Sequence, residues 1–146
     1  MKKLLILFLL IPFLVRAYST SATSAILMDL DSGRIIYANN KDLVRSVASI
    51  SKIMTAVVAI ESDKLDEIVT VGSEIKSAYG SGIYIKEGEE LTLRDLLYGL
   101  MLRSGNDAAL SIATYVGGDV QTFVSMMNDK AKSIGMKNST FNNPSG

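Results

Sequence analysis

The order of apolar and polar residues changes character several times along the chain, and each change marks an element. Apolar residues dominate positions 4–15, and an aperiodic Ser/Thr/Ala stretch at 19–24 reads as a short lead-in. Two β-favouring runs follow, 25–30 and 34–38, separated by Asp31-Ser32-Gly33, a turn-forming triplet that predicts a hairpin. From Ser49 the period becomes helical, with Ile53, Val57 and Ile60 on one face and Met54 and Val58 beside them, which predicts a helix over 50–61. Residues 62–92 are punctuated by Gly72, Gly80, Gly82 and Gly88, so turns and minor strands are expected there, at 68–71 and 83–85. Thr92 and Asp95 form a capping pattern that opens an apolar helix over 93–103. Ser104-Gly105-Asn106 interrupts it, 107–115 resumes it and Gly117-Gly118 breaks it. Asp119 then caps an amphipathic helix with the stripe Val120, Phe123, Met127, Ala131 and Ile134, and Gly135 ends that helix. The segment 141–146 is loop-like, and no internal repeat is present.

Composition narrows the chemistry rather than the fold. The 146 residues are 48% hydrophobic and 21% charged, an ordinary balance for one globular domain. Fifteen basic and fifteen acidic residues cancel without long runs of either sign, so nucleic acid is not an expected partner. With no cysteine there is no thiol nucleophile, disulfide or thiolate metal site, and with no histidine there is no Ser-His-Asp triad. A metal would find only carboxylates and amides, which favour Ca²⁺ or Mg²⁺ if anything, and no cofactor is expected. Any acid–base catalyst must be Lys, Asp, Glu or Tyr.

The N-terminus places Met1-Lys2-Lys3 before the apolar run and Arg16-Ala17 after it. A bilayer span needs roughly 20 apolar residues, more than this run supplies. Residues 1–17 are therefore expected to be a cleaved signal peptide, with 18–24 as a lead-in to the folded part. An uncleaved anchor and a buried helix are the alternatives. Under the first two readings the remaining chain lies outside the cytoplasm.

Ser49-Ile50-Ser51-Lys52 sets a hydroxyl and an amine three residues apart at the start of a helix, about one turn from each other. A serine hydroxyl is a weak nucleophile until a neighbour takes its proton, and a desolvated lysine with a lowered pKa can take it. Ile50, Ile53 and Met54 are the apolar neighbours expected to desolvate Lys52. The backbone N–H groups at the helix start could also stabilise negative charge. The spacing alone is weak, since Ser73-Glu74-Ile75-Lys76 repeats it, and there Lys76 reads as a solvated surface charge. For Ser49 the plain alternative is a helix cap beside an exposed lysine. Ser104-Gly105-Asn106 lies in the joint between two expected helices, where a second serine could relay a proton and an amide could bind a substrate carbonyl. Its plain alternative is a helix end followed by a cap.

Three strings together carry a resemblance: Ala48-Ser49-Ile50-Ser51-Lys52-Ile53-Met54-Thr55-Ala56, then Lys86-Glu87-Gly88-Glu89 leading into residues 93–98, then Arg103-Ser104-Gly105-Asn106-Asp107-Ala108-Ala109. With Met127-Asn128, Lys130-Ala131, Gly135-Met136 and Asn143-Pro144-x-Gly146, they closely resemble the low-molecular-mass penicillin-binding proteins. Within these the likeness is to D-alanyl-D-alanine carboxypeptidases, serine peptidases of the S11 type, and it covers about residues 24–146. The resemblance implies an α+β fold of the β-lactamase/transpeptidase type, an antiparallel sheet with a helical cluster, and residues 25–146 as the N-terminal part of that catalytic domain. It further implies Ser49 as the acylated nucleophile, Lys52 as general base, Ser104 as proton relay and Asn106 as a substrate-binding residue. The implied substrate is a peptidoglycan pentapeptide ending in D-Ala-D-Ala. β-Lactam antibiotics would be acylating mimics, and the outer face of the cell membrane the site of action.

Two departures from the family pattern stand out. Val47 occupies a position where many members have proline. No Lys-Thr-Gly or Lys-Ser-Gly occurs anywhere in the chain, although in the family that motif lies on a strand that binds the substrate carboxylate and helps form the oxyanion hole. The chain is therefore expected to stop about halfway through the catalytic domain, to be marginally folded and to be nearly inactive alone. A β-lactamase or transpeptidase of the same fold, or a non-catalytic envelope fragment, are the competing readings.

Overall fold

The computed structural model describes residues 19–146; the expected signal peptide lies outside the described residues. The chain divides into two compact units, Met1–Leu43 and Val44–Gly146. Among the described residues no helix is long and apolar enough to cross a membrane.

The first unit contains the hairpin expected from the sequence. Strand β1, Ala25–Met28, pairs antiparallel with β2, Ile35–Asn39, through Ala25↔Asn39, Ile26↔Ala38 and Leu27↔Tyr37, and the register shifts at Met28. Asp29 organises the connection: its carboxylate accepts the Ser32 amide at 2.8 Å and also the Ser32 hydroxyl, and its carbonyl accepts the Gly33 amide at 2.9 Å. Gly33 has φ +68°, a left-handed conformation that glycine adopts without a Cβ clash.

The second unit is a helical cluster with a short two-stranded sheet. A 3-10 turn, Ala48–Ser51, leads into helix α1, Lys52–Ile60. Strand β3, Ile68–Thr70, pairs antiparallel with β4, Glu90–Thr92, and β4 runs directly into helix α2, Leu93–Arg103. Helix α3, Asn106–Gly117, and helix α4, Val120–Ser133, complete the unit. The capping signals act as read: Thr92 Oγ1 accepts the Asp95 amide at 3.1 Å, and Asp119 accepts the Thr122 amide at 2.7 Å. Gly135, at φ +82°, follows the last turn of α4.

Helix α3 sits between the others because its residues are small on more than one face. Ala108, Ala109, Ile112 and Ala113 are fully buried, and α3 packs on α1, α2 and α4. Around it close Met54, Val58 and Ala59 of α1, Leu96 and Leu100 of α2, and Phe123, Met127 and Ala131 of α4. This core fixes the α1 N-terminus and the α2–α3 joint, the two places where the candidate chemistry lies.

Three expectations need correction. The Ile53–Val57–Ile60 face of α1 does not enter the core: Ile53 and Ile60 are exposed, and the buried residues are Lys52, Met54, Thr55, Ala56, Val58 and Ala59. Both faces of that helix are apolar, so periodicity could not choose between them. Residues 83–85 form no strand, because their amides bond to a side chain instead of a ladder. Ile134 is exposed, since the last turn of α4 runs past the core.

Candidate active site

Ser49 stands in the 3-10 turn rather than at the first turn of the α-helix, and Lys52 is the first residue of α1. In a 3-10 turn side chains three apart eclipse, which brings the two together: Lys52 Nζ lies 3.1 Å from Ser49 Oγ. Ser104 Oγ donates to Ser49 Oγ at 3.0 Å across 55 positions of sequence. Ser49 is therefore met from one side by an amine and from the other by a hydroxyl. The repeat at Ser73 forms no such cluster; Lys76 is exposed there and pairs with Glu87 at 2.5 Å.

Lys52 is 3% exposed, a rare degree of burial for lysine. Burial lowers its pKa below the ordinary lysine value, because desolvation penalises the charged ammonium. The shield is not the one expected: Ile50 and Ile53 are exposed, and of the three named neighbours only Met54 is buried. The loop 143–146 covers the lysine instead. Lys52 Nζ donates to the Ser145 carbonyl at 3.0 Å, and one turn along α1 the buried Thr55 Oγ1 donates to the Pro144 carbonyl at 2.7 Å. A Cβ at Gly146 would collide with the Ala48 carbonyl, so glycine permits the loop to close over the start of α1. The loop is anchored behind by Asn128, which accepts the Phe141 amide at 2.9 Å and donates to the Phe141 carbonyl at 2.8 Å.

Two residues at the site hold left-handed backbone without being glycine: Ala48, at φ +48°, directly before Ser49, and Ser104 itself, at φ +56°. Such conformations cost of order 1–3 kcal/mol each and persist where the surroundings over-determine them. In Ser104 the strain turns the chain sharply between α2 and α3 and aims the hydroxyl at Ser49.

Asn106 begins α3 but does not reach Ser49 or Lys52 through any hydrogen bond among the described residues. Its side-chain amide donates to the Tyr79 carbonyl at 2.6 Å, and its backbone amide donates to the Ser81 carbonyl at 2.8 Å. Sequence reading missed both the 79–85 segment and Thr55 as neighbours of the site. No local pattern signals either, since each is set by a partner far along the chain.

The fold is of the kind seen in penicillin-binding proteins and DD-transpeptidases, of which these residues cover one part. The family model described as D-alanyl-D-alanine carboxypeptidase, peptidase S11, matches residues 12–146, and the chain belongs to that family. It is 37% identical over 130 residues to the D-alanyl-D-alanine carboxypeptidase DacF of Bacillus subtilis, covering 86% of this chain and 33% of that protein. It is 35% identical over 159 residues to a D-alanyl-D-alanine endopeptidase of Escherichia coli, covering 97% of this chain and 50% of that protein. Among solved structures, the carboxypeptidase DacD of Francisella tularensis superposes with TM-score 0.83 at 37% identity, covering 88% of this chain and 32% of that one. A D-alanyl-D-alanine carboxypeptidase of Mycobacterium tuberculosis superposes with TM-score 0.85 at 32% identity, covering 90% and 50%. The chain thus spans a third to a half of the length of these relatives.

Proposed function

We propose that residues 25–146 are the N-terminal part of the catalytic domain of a serine-type D-alanyl-D-alanine carboxypeptidase. The observation that carries this reading is the hydrogen-bonded set Lys52–Ser49–Ser104, with the lysine buried and its pKa lowered. Ser49 Oγ attacks the carbonyl of the penultimate D-alanine while its proton passes to the neutral Lys52 amine. The peptide bond breaks, and Ser104 relays a proton to the amine of the departing terminal D-alanine. Water then hydrolyses the ester on Ser49. Asn106 binds a carbonyl of the substrate peptide through the second N–H of its side-chain amide, the first being donated to the Tyr79 carbonyl.

The substrate in this reading is a peptidoglycan pentapeptide ending in D-Ala-D-Ala, and β-lactams acylate Ser49 in its place. Residues 1–17 act as a signal peptide, and the reaction takes place in the cell envelope, at the outer face of the membrane. Relatives named as carboxypeptidases and as endopeptidases are both similar to the chain, so terminal and cross-linked D-alanyl bonds are both substrates to try.

Release of D-alanine and labelling by fluorescent penicillin test the proposal, with these residues placed in a protein of the family's full length. Label should sit on Ser49, and Ser49→Ala should abolish both signals. The 146 residues alone, which hold no Lys-Thr-Gly, should label weakly. Turnover that survives Ser49→Ala would sink the assignment.

A further inference from the structure

We infer that Asp107 is a positioning residue for this site: its buried carboxylate clamps the backbone of residues 83–85 and, through the segment 79–85, holds the Asn106 amide. Asp107 is 6% exposed. Its carboxylate oxygens accept the amides of Ile83 at 3.1 Å, Tyr84 at 2.6 Å and Ile85 at 3.3 Å, together with the Ala108 amide of its own helix at 2.9 Å. Three successive N–H groups converging on one anion form a nest, a concavity that ordinarily receives a bound anion. Here the chain supplies the anion itself.

The nest needs a left-handed residue, and Tyr84 provides it at φ +62° while its ring stays largely exposed. Nothing in the ring's own packing would favour that strained backbone. The carboxylate that accepts the Tyr84 amide does. Gly82 fits the same clamp, since a Cβ there would stand 3.1 Å from Asp107 Oδ2.

The neighbouring residue grips the other end of the segment with opposite chemistry. Asn106 donates to the carbonyls of Tyr79 and Ser81, whereas Asp107 accepts from the amides of 83–85. Two adjacent residues at the first turn of α3, Asn106 donating through its side-chain and backbone N–H groups and Asp107 accepting through its carboxylate, thereby fix the register of seven residues. If the acceptor is removed, the segment is free to move and Tyr79 no longer holds the Asn106 amide in place. The functional meaning of this control rests on the proposed role of Asn106 in binding substrate; the clamp does not.

Water-exchange NMR on the 146-residue chain decides the matter. Asp107→Ala should accelerate exchange of the Ile83, Tyr84 and Ile85 amides by about tenfold or more, as expected when buried donors lose their acceptor, and should accelerate the Asn106 side-chain amide as well. Asp107→Asn, which keeps one acceptor oxygen, should give an intermediate rate. Gly82→Ala, 24 positions away from Asn106, should produce the same acceleration of its amide, and both serve if the alanine variant unfolds. Glu74→Gln alters another carboxylate that bonds to α3, through Ser111, and should leave Asn106 unchanged. Accelerated exchange at 83–85 with an unmoved Asn106 amide would show a merely structural role and overturn the inference, as would unchanged exchange at 83–85. Failure of Ser49 to acylate in a full-length protein would speak against the functional reading alone.

Discussion

At Lys52 a titratable group is buried beside a hydroxyl, with no carboxylate partner among the described residues to hold its proton. Its pKa is lowered, so the unfolded chain binds a proton at pH values where the folded chain does not. Stability therefore rises as pH climbs from the lowered value towards about 10.4, the ordinary lysine value, and is flat below the window. Comparing wild type with Lys52→Met by urea unfolding across alkaline pH should show the difference shifting in favour of wild type as pH rises; a pH-independent difference would contradict the burial. The same desolvation predicts that acylation of Ser49 in a full-length protein rises with pH through an apparent pKa below that of free lysine. Lys52→Arg, always protonated, should reduce it by about a hundredfold or more. Thr55 is the second residue that ties α1 to the loop. Thr55→Val removes the donor to the buried Pro144 carbonyl and should lower unfolding stability by about 1–3 kcal/mol in urea titration.

Among the elements, those defined by caps and breakers were legible and those defined by a distant partner were not. Thr92, Asp119 and Gly135 mark the bounds of α2 and α4 because a cap acts within one turn and leaves a local signature. The burying face of α1 is not legible in the sequence, because Ile53, Val57 and Ile60 make as good an apolar stripe as Met54, Val58 and Ala59; packing against α2, α3 and α4 decides. Asp119 makes one cap testable by pH. The Thr122 amide, and then the Thr122 hydroxyl, hold its carboxyl below the ordinary aspartate value. The cap's contribution is thus full above about pH 3.9, the unfolded value, and is lost as pH falls through the lowered one. Acid titration followed at α4 amides should show fraying that Asp119→Ala already displays at neutral pH. The α3–α4 corner is tight in another way: a Cβ at Gly117 would come within 2.7 Å of the Phe123 amide nitrogen and 2.9 Å of its Cα. Backbone cannot yield as a side-chain tip does, so Gly117→Ala should destabilise by about 1–3 kcal/mol.

Over the whole molecule, the Ser49–Lys52–Ser104 cluster was legible only through the family resemblance of the strings around it, because the Ser49–Lys52 spacing by itself recurs at Ser73–Lys76. The covering loop 143–146 and the clamped segment 79–85 were not legible, because single side chains far along the chain, Thr55, Lys52, Asn106 and Asp107, set their course. The same contrast separates the two units in stability. In the second, Leu96, Leu100, Ile112 and Phe123 are almost wholly enclosed, and helices that bury such faces open only with the unit as a whole. In the first, Ile26, Leu27, Met28, Ile35 and Ile36 all remain substantially exposed, and a two-stranded hairpin with so little buried surface is marginal in water. Native-state hydrogen exchange should therefore resolve two classes. Hairpin amides bonded across β1 and β2 should exchange about a hundredfold or more faster than those of Leu100 and Ile112, near the limit set by local opening. Mild denaturant should accelerate the helical class with a slope that reflects unfolding of the whole unit and leave the hairpin class nearly unaffected. Equal protection at Leu27 and Ile112 would mean that the hairpin's apolar residues are covered in solution, and would refute the marginal hairpin.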